Sequence, residues 1–210
     1  LHVRSRRQRQ MCIRDRFLGV SGGLDSTMAL LFLVHAYKKT GYDLFGINCY
    51  TMPAFGTSDR TKSNAYLLCE ALGLELKEIN ITEAVKIHLR DIGHDGLTPD
   101  TAYENAQARE RTQILFDLAN MHNGIVIGTG DLSESMQGFA TFNGDQMSNY
   151  SLNASLTKTE IRYVVGAIAE TTENLKLKAV LNDILDTPIS PELISCLLYT
   201  SDAADDSLRV

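Results

Sequence analysis

Short apolar runs alternate with helix-period segments along most of this 210-residue chain. Strands are expected at 17–20, 44–50, 74–81 and 125–127. Helices are expected at 24–39, 59–72, 82–92, 101–122, 157–169 and 175–185. The Ile-Val-Ile run at 125–127 has no polar face, as in a strand covered on both sides. Strands alternating with helices imply a parallel sheet between two helix layers, a doubly wound α/β fold. Leu74-Glu75-Leu76-Lys77 instead alternates apolar and charged residues and reads as an edge. Gly73 is a helix-stop signal, Thr82 reads as an N-cap, and Pro188 and Pro191 end the last helical pattern.

Composition narrows the class. The chain is 44% apolar and 22% charged, an ordinary globular balance that excludes a disordered tail protein. The longest unbroken apolar run covers only residues 28–34, too short to cross a bilayer, so no membrane partner is expected. Net charge is −6, which argues against a nucleic-acid partner. The charge is uneven: residues 1–16 carry six arginines against the single acid Asp15, and the body is acidic. That head could be a basic nucleic-acid arm. However, MCIRDR at 11–16 and CLLYTSDAADD at 196–206 both resemble translated sequencing-adaptor read-through. Residues 1–16 and 196–210 are therefore read as non-native tails, and 17–195 as the domain, truncated at its C-terminus.

Cys49 and Cys69 sit in apolar contexts, and no Cys or His spacing suits a zinc site. Buried reduced thiols and a cytoplasmic location are expected. His35, His88, His94 and His122 read as core or surface histidines, and Tyr103 and Tyr150 as packing residues.

The loop Gly19-Val20-Ser21-Gly22-Gly23-Leu24-Asp25-Ser26 follows a strand and opens a helix. Small residues let the backbone approach an anion, and the helix start offers unpaired N–H groups, so phosphate binding is expected. The loop lacks the lysine of a Walker A sequence and the spacing of a dinucleotide fingerprint. Asp25 beside a phosphate would repel it unless a divalent cation intervenes, and Mg²⁺ resolves that conflict. The same residues fit G-x-S-x-G, a hydrolase nucleophile turn. That reading needs a late histidine, and His122 is the last one in the chain.

The loop matches the SGGxDS signature of ATP pyrophosphatases. Further strings are Thr51-Met52-Pro53-Ala54-Phe55-Gly56-Thr57, Glu104-Asn105-Ala106-Gln107-Ala108-Arg109 and Gly128-Thr129-Gly130-Asp131-Leu132-Ser133-Glu134. The last spans Gly144-Asp145-Gln146-Met147-Ser148-Asn149-Tyr150 and reaches Leu156-Thr157-Lys158-Thr159. In this order and spacing, over about 17–195, the chain resembles the synthetase domain of glutamine-dependent NAD synthetases.

The resemblance implies ATP-dependent amidation of deamido-NAD through an acyl-adenylate, with AMP and pyrophosphate released. It implies that Gly19, Ser21, Gly22, Gly23 and Ser26 cradle ATP phosphates, with Thr129, Lys158 and Thr187 as further ATP contacts. Asp25 and Glu134 would hold Mg²⁺, and Asp25 and Lys158 would carry the catalysis. Asn105, Arg109, Glu134, Phe139 and Asp145 would meet deamido-NAD. Asn105 and Arg109, four apart, share a helix face, whereas Arg111 points elsewhere and reads as structural. Arg109 can bind an anion bidentately, or pair with a neighbouring acid such as Glu104 or Glu110. Phe139 could stack on a flat ring or be a core aromatic. Asp145 could meet a ribose or form a turn.

Single-domain, ammonia-using relatives carry a lysine near Phe142, so one phosphate contact differs here. The resemblance also implies an ammonia-feeding glutaminase domain, a C-terminal basic segment outside this chain, and a homo-oligomer at full length. Alternatives are an incomplete nucleotide-binding fragment without turnover, or another ATP-pyrophosphatase ligase such as a GMP synthetase or a tRNA-thiolating enzyme.

Overall fold

The computed structural model describes residues 15–55, 59–138 and 141–187. Five strands form one all-parallel sheet: β1 (Arg16–Gly19), β2 (Ile47–Thr51), β3 (Leu76–Glu78), β4 (Ile125–Gly128) and β5 (Tyr150–Ser151). Their order across the sheet is β3-β2-β1-β4-β5. Connections from β1 run outward to β2 and β3, and the chain then crosses back to β4. The strand order thus reverses between β1 and β4, the place where such sheets open a crevice.

Among the described residues, seven helices surround the sheet: α1 (Leu24–Thr40), α2 (Asp59–Leu72), α3 (Thr82–Asp91), α4 (Thr101–Met121), α5 (Leu132–Gln137), α6 (Lys158–Thr171) and α7 (Leu175–Leu185). Adjacent strand residues point to opposite faces, and both faces are dry. Leu18, Cys49 and Ile127 pack with Leu30 of α1, Leu68 of α2, Ile161 of α6 and Leu181 of α7. Phe17, Tyr50 and Val126 point the other way, onto Ala119 of α4. Met52, Ile81, Val85, Leu89 and Ala106 extend that second layer between α3 and α4. The expected doubly wound α/β fold is the one observed.

Several local expectations shift. Residues 44–46 form a short 3-10 turn rather than strand, because Asp43 Oδ1 accepts from Phe45 N and turns the Phe45 ring out to solvent. β3 is the expected edge but only three residues long. At α3 the cap position falls on Ile81, and Thr82 is already helical, since Asn80 Oδ1 takes the Thr82 N–H. Thr157 caps α6 from outside, in a reciprocal box with Glu160. α5 and β5, six and two residues long, carry too little periodicity to be read in advance. Tyr103 packs on Phe55 at 5.2 Å, whereas Tyr150 is 60% exposed on edge strand β5 and is no packing residue. Cys49 and Cys69 are both buried and free, as expected. Among the described residues, no helix is long and apolar enough to cross a membrane.

Candidate active site

Two loops meet at the β1/β4 crevice, and each is shaped by its own sequence. The first leads from β1 into α1. Gly22 adopts φ +87°, and a side chain there would collide with Thr61 O and come within 2.9 Å of Ala65 N on α2. Only glycine fits that backbone so close to a neighbouring helix. Gly23 is the N-cap of α1, and among the described residues no side chain caps that helix start. By contrast, Asp100, Asp131, Thr157 and Asn174 cap α4 to α7 with side-chain oxygens. The α1 terminus therefore keeps N–H groups and positive partial charge for an anion. Ser21 Oγ accepts from Gly23 N at 3.2 Å and pairs with Ser26 Oγ at 3.2 Å. Ser26 in turn donates to Gly23 O. These partners place Ser21 in a hydroxyl cluster, not beside a histidine base.

The second loop leads from β4 into α5. Asp131 is fully buried, accepts from Glu134 N at 2.8 Å, and shares a reciprocal capping box with Glu134. The box turns both carboxylates toward Asp25. Asp25, Asp131 and Glu134 each offer an oxygen within 4.8 Å of the others. The Lys158 ammonium, from the start of α6, lies 2.6 Å from Asp25 Oδ2, 2.8 Å from Asp131 Oδ2 and 3.1 Å from Glu134 Oε1.

Burial pushes the Asp25 carboxyl up to about 6, against the opposing pull of Lys158. Burial also disfavours charge on Lys158, but hydrogen bonds and charges from Asp131 and Asp25 outweigh it and hold the ammonium above its ordinary range. Asp25 Oδ1 is buried with no hydrogen-bond partner among the described residues. A buried carboxylate oxygen left unsatisfied beside two more carboxylates fits a hard divalent cation, and the all-oxygen donor set suits Mg²⁺.

Of the expected site residues, Ser21, Gly22, Gly23, Asp25, Ser26, Thr129, Glu134 and Lys158 gather at this crevice. Gly19 ends β1, where a Cβ would face Leu115 and Met52 in the core rather than the loop. Thr187 donates to Asp183 O at 2.8 Å, and Asp183 accepts from Asn64 of α2. The Thr187 hydroxyl is thus engaged with the end of α7, beside α2.

A second group lies along α4. Arg109 donates from Nε and Nη2 to Phe142 O, both at 3.2 Å, so its fork holds the 141–149 loop rather than Glu104 or Glu110. Gly144 lets that loop settle on Ala108. Asn105 is half-buried on the same helix. Arg111 donates to Met52 O at 3.2 Å, the structural role expected of it, and its Nη1 also lies 3.7 Å from Asp145 Oδ2. Phe139 lies outside the described residues.

Two participants were not singled out from sequence. Asp131 had a readable signal, since D-x-x-E after a strand is a capping pattern. Asn153 had none. It is fully buried, and its Nδ2 donates to both Asp25 O and Thr129 O.

The NAD synthase family model matches residues 5–189. A glutamine-dependent NAD(+) synthetase of Mycobacterium leprae is 46% identical over 183 residues, covering 84% of this chain and 27% of that protein. An NH(3)-dependent NAD(+) synthetase of Halobacterium salinarum is 34% identical over 145 residues, covering 69% of this chain and 52% of that protein. Among solved structures, glutamine-dependent NAD+ synthetase from Acinetobacter baumannii in complex with ADP superposes with a TM-score of 0.74 at 24% identity, over 87% of this chain and 33% of that one. NMN synthetase from Francisella tularensis superposes with a TM-score of 0.70 at 25% identity, over 94% and 74%. The chain spans 27% of the length of the Mycobacterium leprae relative.

Proposed function

This chain belongs to the NAD synthase family, and from that premise we propose that it carries the ATP-dependent amidation of deamido-NAD to NAD. The observation that carries the reading is the Asp25–Asp131–Glu134 cluster, gathered at the uncapped start of α1 where the loops after β1 and β4 meet.

A carboxylate resists attack by ammonia because its leaving group is oxide. Adenylation removes that barrier. A nicotinate carboxylate oxygen attacks the ATP α-phosphorus, and the bond to pyrophosphate breaks. Ammonia then attacks the acyl carbon, AMP leaves with the former carboxylate oxygen, and a proton passes to solvent. Charge grows on the departing pyrophosphate, so fixed positive groups, not a protein nucleophile, supply the rate enhancement. The α1 N–H groups and the Ser21 and Ser26 hydroxyls cradle the phosphates in this reading, with Thr129 and Thr187 as further ATP contacts. Asp25 and Glu134, with Asp131 beside them, hold Mg²⁺. When bound, the ion offsets phosphate charge and orients the nucleotide. Lys158 adds a fixed cation beside the same phosphates. Asn105, Arg109 and Asp145 bind deamido-NAD along α4 and the loop it anchors, with Phe139 as a further contact.

The longer relatives are named for glutamine dependence. In that setting a glutaminase domain would supply the ammonia, within a cytoplasmic homo-oligomer. Free ammonium replaces that supply in the test. Pyrophosphate release is measured from ATP and Mg²⁺, with deamido-NAD and ammonium each present or omitted. Release that needs deamido-NAD, with NAD formed only when ammonium is added, supports the reading. Release with the mononucleotide counterpart but not with deamido-NAD would reassign the substrate, and release with neither would refute the ligase.

A further inference from the structure

We propose that Asn153 is a positioning residue that sets the distance between the two acid-bearing loops of the active site. The inference deepens the proposed ligase reading and rests on it for its kinetic arm only.

Asn153 lies just beyond β5 and is completely buried. Its Nδ2 carries two hydrogens, and each is used. One goes to Asp25 O at 2.9 Å and the other to Thr129 O at 2.8 Å. Both neighbours are carbonyl oxygens, which only accept, so the amide nitrogen must face them and the side-chain orientation is settled. Asp25 O belongs to the first turn of α1, and Thr129 is the first residue after β4. One nitrogen therefore spans the strand-order switch and joins the main chain of the two loops that carry Asp25, Asp131 and Glu134.

The segment around Asn153 is itself fastened to the second loop. Ser151 donates to Gly130 O at 3.0 Å, and Leu152 N donates to Gly128 O at 3.3 Å. Those bonds hold β5 to the end of β4 and the loop after it. Among the described residues, the amide of Asn153 continues the connection to the α1 main chain, while Lys158 reaches only the Asp25 side chain. A serine could satisfy one carbonyl but not both, a carboxylate would face two acceptors with none, and a leucine would fill the volume with no donor. The carboxylates across the crevice repel one another, and the Lys158 ammonium holds them from the open side. The Asn153 bridge holds their backbones from beneath. Without it the loops can separate while both strands stay paired.

The test uses the full chain and the variants Asn153→Leu, Asn153→Ser and Asn153→Asp. Hydrogen exchange is followed for residues 22–27 and 129–134. Mn²⁺ affinity is measured by electron paramagnetic resonance, and KM for MgATP and kcat are compared. The expected result is faster exchange in both loops together, and Mn²⁺ binding weakened about tenfold to a hundredfold, the scale of a small misplacement of positioned groups. Asn153→Ser should fall between wild type and Asn153→Leu. The KM for MgATP should rise more than kcat falls. Should Asn153→Asp fail to fold, the leucine and serine variants decide alone. Exchange changes confined to 150–156, or Mn²⁺ affinity equal to wild type in folded variants, would overturn the proposal. A wild type that binds Mn²⁺ but never turns over would defeat the ligase reading and leave the exchange and affinity arms to judge the bridge.

Discussion

The Lys158 ammonium donates to Asp25 Oδ2 at 2.6 Å across 133 residues of sequence. The bond joins the first turn of α1 to the first turn of α6 beside the β1/β4 crevice. In the proposed reading two chemistries would share that point, phosphate recognition by a helix start and cation binding by carboxylates.

Lys158 occupies the ground that a divalent ion would share. Lys158→Met should abolish turnover by a factor of about a hundred or more, the loss typical of a preorganised charge on the reacting groups. It should also tighten Mn²⁺ binding without nucleotide, because the competing ammonium is gone. Mn²⁺ titration by electron paramagnetic resonance checks the sign. Weaker Mn²⁺ binding in the variant would mean that the lysine organises the carboxylates rather than competes for them.

Asp25→Asn keeps the shape of the side chain and removes its charge. Lys158 retains Asp131 and Glu134 as partners, and the burial cost of the Asp25 charge disappears with it, so the fold should be retained. Mg²⁺-dependent turnover should be lost. Thermal melts and pyrophosphate release, run side by side, separate these effects, and full retained activity would remove Asp25 from the metal set.

Gly22 tolerates no side chain. Gly22→Ala forces a left-handed φ on alanine and drives its methyl into Thr61 O. We expect a loss of about 1–3 kcal/mol, since local backbone strain alone is of that order. ATP should bind more weakly as the loop lifts from α2. Chemical denaturation and nucleotide titration of the same sample measure both.

Ahead of α4, Asp95 accepts from the Thr98 hydroxyl and from the backbone N–H groups of Thr98 and Leu97. The Thr98 hydroxyl bond, with those backbone bonds, holds the Asp95 carboxyl down to about 2. A depressed carboxyl stabilises the fold above its unfolded value near 3.8, and that contribution is lost as pH falls toward 2. In Thr98→Val the carboxyl should titrate closer to its unfolded value. Carbon-detected NMR titration reads the midpoint directly, and an unchanged midpoint would contradict the assignment of the hydroxyl as the main cause.

These predictions also mark where sequence and structure part. The α7 helix was legible to its bounds, because Asn174 and a regular apolar stripe delimit it locally. The glycine loop was legible because its small residues and the helix start lie within eight residues, although the neighbour that bars a side chain at Gly22, Thr61 O of α2, lies far along the chain. Asp131 was partly legible: its capping pattern lies on the chain, but its burial against Asp25 depends on β1 and β4 being neighbours. Asn153 was not legible at all. An asparagine after a two-residue strand has no period or spacing, and its role exists only where three strand ends converge. Arg109 shows the same limit: its fork holds Phe142 O, a partner 33 residues away that no local pattern names.

If the reaction runs through an acyl-adenylate, a carboxylate oxygen becomes the bridge to AMP, and oxygen tracing follows that atom. Deamido-NAD labelled with ¹⁸O in its nicotinate carboxylate is incubated with the chain, ATP, Mg²⁺ and ammonium, and the AMP is analysed by mass spectrometry. Each AMP should carry one ¹⁸O, and pyrophosphate none. Unlabelled AMP formed alongside NAD, or label recovered in pyrophosphate, would rule out the acyl-adenylate.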